Sequence, residues 1–327
     1  MSLSINNSSK KDQLNVAVAQ IAPVWLNREA TLAKVSDAIS DAAAQNAQLI
    51  GFGETVLPGY PFWIERTDGA RFNDPVQKDL HAHYLDQAVV IERGDLDTVC
   101  AQARDHGMAI YLGIYERPMD RGGHSGFCSL VYIDENGAIG SVHRKLMPTY
   151  EERLTWSPGD GNGLRTHPLG AFRVGGLNCW ENWMPLARTA LYADGEDFHF
   201  ACWPGGERNT RISPFLAQEG RSYVMSVSGL MRVSDFPDDT PHLEQILAGN
   251  GQAEMLTNGG SCLVAPDGSY VIEPIIGIEM VKAATIDHAM VRQERQNFDP
   301  VGHYSRPDIL KLEVDRRRQT AARFRDE

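Results

Sequence analysis

Gly175-Gly176-Leu177-Asn178-Cys179-Trp180-Glu181-Asn182-Trp183-Met184-Pro185-Leu186-Ala187-Arg188 is the stretch whose reading decides the fold. Residues 172–178 read as a short strand. Residues 184–193 read as a helix, with Pro185 in its first turn and Leu186, Ala190 and Leu191 on one face. Cys179 therefore falls in a strand-to-helix turn. Such a turn presents a side chain at the end of a sheet strand, and a helix N-terminus beside it favours a thiolate. A cysteine is more often a small buried apolar filler, so the rest of the chain must supply the argument for chemistry.

Outward from this turn, strands and helices alternate. Residues 14–20 and 48–53 read as strands around a helix at 28–45, where Leu32, Val35, Ile39 and Ala42 recur at helical spacing. A helix is expected over 76–91 and another from an N-cap at Asp95 to Gly107, before a strand at 108–115. Asn136-Gly137 marks a hairpin between 127–133 and 138–143, and Pro266-Asp267-Gly268 a second between 261–265 and 269–273. Strands at 197–203, 223–229 and 279–286, a helix at 210–221 and a polar insertion at 232–256 complete the pattern. No repeat or low-complexity linker interrupts it, so a single α/β domain over 13–310 is expected, with a disordered leader at 1–12 and a charged tail at 311–327 that is solvated or bridges subunits.

Of the 327 residues, 42% are hydrophobic and 23% charged, the balance of a chain able to bury a substantial core. The net charge of -12 argues against nucleic acid or an anionic membrane surface as partner. No apolar run approaches the roughly 18 residues of a membrane helix, and residues 1–11 lack the apolar core of a signal peptide, so a cytoplasmic protein is expected. The cysteines (100, 128, 179, 202 and 262) are odd in number and widely spaced, which fits reduced thiols. His81 and His83, two positions apart on a helix, face different ways and make a poor metal site, and there is no Gly-x-Ser-x-Gly elbow.

Three segments put a reactive side chain where a strand ends. Glu54 follows the strand at 48–53 and precedes Pro58-Gly59-Tyr60-Pro61. Lys145 follows 138–143 in His143-Arg144-Lys145-Leu146-Met147-Pro148-Thr149, and Cys179 is the third. Carboxylate, ammonium and thiol at the carboxyl ends of three strands of one sheet make a plausible site, because ligands of open α/β sheets collect there.

These segments, with Val16-Ala17-Val18-Ala19-Gln20, together resemble the nitrilase superfamily, the carbon-nitrogen hydrolases that use a Glu-Lys-Cys triad. The resemblance implies a four-layer αββα sandwich, paired through helices into an αββααββα dimer. It implies Glu54 as general base, Lys145 as electrostatic stabiliser, Cys179 as nucleophile, and Glu152 as an additional active-site glutamate. Cys179-Trp180-Glu181 and the late Gly302-His303-Tyr304-Ser305-Arg306-Pro307-Asp308 look like the true nitrilases. The implied reaction takes an organic nitrile to the carboxylic acid and ammonia, with no metal or organic cofactor. The insertion at 232–256 looks like a segment by which microbial nitrilases build dimer contacts, and the short C-terminus favours a dimer over a filament. Tyr60 and Trp180, with Glu181 beside it, are the candidate substrate-binding residues. An amidase, carbamoylase or cyanide-hydrolysing enzyme using the same triad, and a non-catalytic binding protein of the same fold, stay open alternatives.

Overall fold

Alternation along the first strand places Leu14, Val16 and Val18 on one face and Ala17 and Ala19 on the other, and all five are buried. A strand buried on both faces belongs to a sheet covered on both sides, and the computed structural model, which describes residues 12–249, 254–322 and 325, shows what covers it. The chain runs β1 (Gln13–Gln20), α1 (Arg28–Ala44), β2 (Leu49–Phe52), α2 (Trp63–Arg66), α3 (Pro75–Asp86), α4 (Asp97–His106), β3 (Ala109–Glu116), β4 (Phe127–Ile133) and β5 (Ile139–Arg144). It continues through β6 (His167–Leu169), β7 (Phe172–Asn178), α5 (Pro185–Ala193), β8 (Phe198–Trp203), α6 (Glu207–Thr210), α7 (Ser213–Gly220), β9 (Tyr223–Ser228) and β10 (Leu230–Arg232). The last elements are α8 (Leu243–Ala248), β11 (Met255–Val264), β12 (Tyr270–Ile276), β13 (Met280–Asp287) and α9 (His288–Glu294).

One sheet has the order β13-β1-β2-β3-β4-β5 and the other β10-β11-β9-β8-β7-β6, with β12 on β11. Their inner faces meet in a shared core in which Val16, Val18, Leu49, Tyr111 and Leu130 pack with Val174, Phe198, Phe200, Met225 and Leu263. The outer face of the first sheet packs on Val35, Ile39 and Ala42 of α1 and Val99 and Ala103 of α4. The outer face of the second packs on Ala187, Ala190 and Leu191 of α5 and on Leu216 and Ala217 of α7. The layers are therefore helix, sheet, sheet, helix, the expected αββα sandwich.

Several local expectations shift. The helix expected over 76–91 ends at Asp86, because the Val89 N–H is drawn to the Tyr115 carbonyl (2.8 Å) at the end of β3. Asp95 does not cap the next helix, which starts at Asp97. Its carboxylate instead accepts the Val90 N–H (2.8 Å) and pairs with Arg93. The helix expected over 210–221 is α7, which starts at Ser213, and a separate short helix, α6, precedes it. The insertion is less polar than its composition suggests: Phe236 meets Trp25 edge-on at 4.6 Å, Ile246 is buried, and the Ile246 carbonyl accepts from Arg66 Nε (2.9 Å). Of the expected leader, all but Asp12 lies outside the described residues. The charged tail lies along the body of the same chain over Arg316–Gln319. Arg316 pairs with Asp194 (3.1 Å), Arg318 with Asp160 (3.1 Å), and the Gln319 N–H reaches Asp160 (2.9 Å).

Candidate active site

Glu54, Lys145 and Cys179 do follow strand ends, but not of one sheet. Glu54 comes after β2 and Lys145 after β5 in the first sheet, whereas Cys179 follows β7 in the second. Face-to-face packing brings these ends to one edge of the sandwich. The Glu54 N–H ties the sheets together there by donating to the Trp203 carbonyl at the end of β8 (2.9 Å). Gly113 on β3 lets the Glu54 turn lie close against this neighbouring strand, since a Cβ at that position would lie 2.2 Å from the Gly53 carbonyl oxygen and 2.9 Å from Glu54 Cα.

At the centre is the buried Lys145 ammonium, 2.9 Å from Glu54 Oε1 and 2.7 Å from Glu152 Oε2. One donor atom each from Glu54, Glu152 and Cys179 lies within 4.8 Å of the others. Glu152 is held by the Thr149 N–H (2.6 Å) and the Tyr60 hydroxyl (2.9 Å), while Trp156 places its ring 5.3 Å from Lys145 Nζ. Cys128 joins two of the segments: its carbonyl accepts the Lys145 N–H (2.8 Å) and its thiol donates to Glu54 Oε1 (3.4 Å). Glu54 Oε2 has no hydrogen-bond partner among the described residues.

Three residues of these turns have strained backbone. Thr55, Tyr150 and Cys179 have φ of +44°, +44° and +46°, a left-handed conformation that is costly for side chains larger than glycine and that clusters at functional sites.

Burial dominates the electrostatics. It pushes the Glu54 carboxyl up from 4.5 to about 7, against the pull of Lys145 and with help from Glu152. It also holds the Cys179 thiol well above its ordinary value despite the Lys145 charge, so any lowering by a helix N-terminus is outweighed. Burial would lower Lys145, but Cys179, Glu54 and Glu152 outweigh it and hold the ammonium well above its usual range. The three acidic donors are spaced as metal ligands could be. Lys145, already between the two carboxylates, fills the cation position there, so the donor set fits an ammonium better than a metal ion.

Residues 15–296 match the carbon-nitrogen hydrolase family. The chain belongs to it. This carbon-nitrogen hydrolase is 35% identical over 317 residues to Nitrilase 2 of an unknown prokaryotic organism, covering 96% of each chain. It is 30% identical to an aliphatic nitrilase of Rhodococcus rhodochrous, covering 95% of this chain and 82% of that one. Among solved structures it is similar in fold to a carbon-nitrogen hydrolase from Helicobacter pylori G27, with TM-score 0.68, 18% identity, and 90% and 96% of the two chains covered.

The other sequence candidates sit differently in the hydrolase. Tyr60 is brought to the site, against Glu152. Glu181 is not: its buried carboxylate faces inward, accepting from His143 Nε2 (3.0 Å), the Leu146 N–H (2.6 Å) and the Asn178 N–H (2.8 Å). Burial opposes its ionisation, but the His143 partner and these N–H donors outweigh that and hold its carboxyl below the usual range. Glu181 therefore fixes the Cys179 turn to the Lys145 strand and has no oxygen left for substrate. Trp180 is 56% exposed and points outward beside Trp183 and Phe215. Cys128 was missed, and within the uniformly buried run of β4 nothing distinguishes it from an apolar filler. Asn182 was missed as well, although its place three residues after Cys179 is where a side chain can reach back to a turn carbonyl.

Proposed function

We propose that this hydrolase is a nitrilase, converting an organic nitrile and two waters into a carboxylic acid and ammonia through a covalent bond to Cys179. The observation that carries the reading is the Lys145 ammonium bridging Glu54 and Glu152 beside the Cys179 thiol. The nitrilases among its relatives and Cys179-Trp180-Glu181 support the nitrile branch.

A nitrile carbon is a weak electrophile and calls for a thiolate nucleophile. In a buried site a free thiolate is costly, so the thiol gives its proton to Glu54 as sulfur attacks. A Glu54 carboxyl near 7 is matched to accepting and returning a proton at neutral pH. The nitrile nitrogen takes that proton to give a thioimidate, and Lys145 stabilises the negative charge that develops on it. Glu54 next removes a proton from water as the water adds to the thioimidate carbon. The C–N bond breaks with protonation of nitrogen, and ammonia leaves a thioester. A second water, deprotonated by Glu54, adds to the thioester; the C–S bond breaks, and the thiolate recovers its proton as the acid departs. Glu152 holds the far side of Lys145, and Tyr60 holds Glu152.

We also propose that it works as a homodimer or larger homo-oligomer in the cytoplasm. Trp180, Trp183, Met184, Leu186 and Phe215 are exposed together around the start of α5, and five free thiols suit a reducing compartment. Among the described residues no helix is long and apolar enough to cross a membrane.

The test is ammonia release over a panel of nitriles and their matching amides, with intact-mass detection of a Cys179 adduct. Nitriles should be turned over by orders of magnitude faster than the amides. Equal or faster turnover of the amides would place the chain with the amidases, and an adduct on another residue would remove Cys179 from its role.

A further inference from the structure

Behind the Cys179 turn lies a buried polar chain that the mechanism above does not use. The Asn182 side-chain amide donates to the Cys179 carbonyl (2.8 Å) and the Leu177 carbonyl (3.3 Å). Both partners are acceptors, so the amide nitrogen faces them and Oδ1 faces the other way, towards His199 Nε2 at 2.7 Å. An amide oxygen only accepts; Nε2 therefore carries a proton. The other ring nitrogen, Nδ1, lies 2.9 Å from Glu196 Oε1, which requires a second proton between them. Asn182, Glu196 and His199 are all essentially excluded from solvent, and Glu196 Oε2 has no hydrogen-bond partner among the described residues. A carboxylate would not be buried there, with one oxygen unpaired, for packing alone.

The geometry points to His199 and Glu196 as positioning residues that act through Asn182 to hold Cys179 in its attacking conformation. This inference rests on Cys179 being the nucleophile. Cys179 has φ +46°, a conformation that a cysteine leaves unless its neighbours hold it. The Asn182 clamp spans the end of β7, at Leu177, and the first residue of the turn, Cys179, so it fixes the backbone whose side chain must meet Glu54 and Lys145. His199 fixes the clamp, because only a donor at Nε2 keeps the amide from swinging its oxygen towards the two carbonyls. With the Asn182 amide nitrogen committed to the two carbonyls, Nε2 must be the donor, and Glu196 keeps the ring in that state by sharing the second proton at Nδ1. Arg188, paired with Glu219, anchors the Asn182 main-chain carbonyl from the α5 side (2.8 Å). Neither His199 nor Glu196 touches the triad.

Three variants separate this role from packing. Glu196→Gln places an amide N–H opposite Nδ1, which leaves the ring proton on Nε2, and should leave kcat within about threefold of wild type. His199→Leu leaves Asn182 Oδ1 without a donor. It should lower kcat by about tenfold to a hundredfold, as misplacement of a reacting atom by about 1 Å does, while KM stays within about threefold. The same variant should slow alkylation of Cys179 by iodoacetamide. His199→Gln, whose amide N–H reaches the Nε2 position, should recover most of both losses. The inference is overturned if His199→Leu keeps wild-type kcat and alkylation rate, if KM and kcat change together, or if His199→Gln recovers neither loss. Should His199→Leu fail to fold, the other two decide: near-wild-type kcat and alkylation rate in both support it, and a collapse of kcat in either overturns it. Absence of any Cys179 adduct in the wild type would instead overturn the nucleophile assignment, which these comparisons between variants leave distinguishable.

Discussion

Replacing Glu152 by Gln removes one of the two carboxylates that face Lys145 and keeps the shape of the site. The amide oxygen can accept from Lys145 and the Thr149 N–H, as Oε2 does at 2.7 and 2.6 Å. The amide nitrogen can donate to the Tyr60 hydroxyl, which then turns its own proton to Glu151 Oε1, 3.4 Å away. Two consequences follow for Glu54, with the same sign: the repulsion from Glu152 disappears, and Lys145 no longer divides its charge. Both favour the Glu54 carboxylate and lower its carboxyl from about 7. With donor atoms within 4.8 Å of each other, unit charges interact by about 3.5 kcal/mol at an effective dielectric of about 20, and by about 0.9 kcal/mol in bulk water. The acid limb of kcat/KM, which reports the free enzyme's base, should therefore move down by about 0.6 to 2.5 pH units. Ammonia release from a slow nitrile between pH 4.5 and 9 measures it, even if the rate itself falls. An acid limb that stays where the wild type has it, or moves up, would refute the electrostatic reading of the site.

Lys145→Met should abolish turnover and leave Glu54 and Glu152 buried without a counter-charge, at a cost of about 3–5 kcal/mol. Because a raised carboxyl favours the protonated folded state, the loss should be largest above pH 7 and shrink as pH falls. Thermal melts at pH 5 and 8 check it, and an equal shift at both would contradict the ion triad. His143→Ala leaves the buried Glu181 carboxylate only N–H donors and should cost about 1–3 kcal/mol at pH 7. The Glu181 carboxyl is held below its ordinary value, so its contribution is present above about pH 4.5 and lost as pH falls through the folded value. Denaturant midpoints of variant and wild type should converge at low pH. Gly113→Ala forces a Cβ to within 2.2 Å of the Gly53 carbonyl oxygen and should cost about 1–3 kcal/mol. It should lower kcat by displacing Glu54, and an unchanged kcat would show that the Glu54 turn is free to move.

Much of the fold was legible because strands and helices write their periods locally. The alternation at 14–20, the helical spacing at 28–45 and the hairpin turn at Asn136-Gly137 all reappear as elements. Where sequence reading slipped, a distant partner took over a local signal. Asp95 looked like a cap until Val90 and Arg93 claimed its carboxylate, and the helix after Asp74 stopped at Asp86 because β3 offered the Val89 N–H a carbonyl.

The sequence by itself determined that Glu54, Lys145 and Cys179 each stand at a strand end, because motif and strand are contiguous in the chain. Which sheet each strand joins was not determined there, since pairing is set by contacts far apart in sequence. Only the tertiary structure showed that the site is built across two sheets and placed Cys128 against Glu54. It also turned Glu181 inward to His143 and Trp180 outward to solvent, although the two are adjacent in sequence. The physical reason is burial: a carboxylate, ammonium or thiol takes its character from the charges and donors that packing brings around it. No stretch of chain carries that information alone.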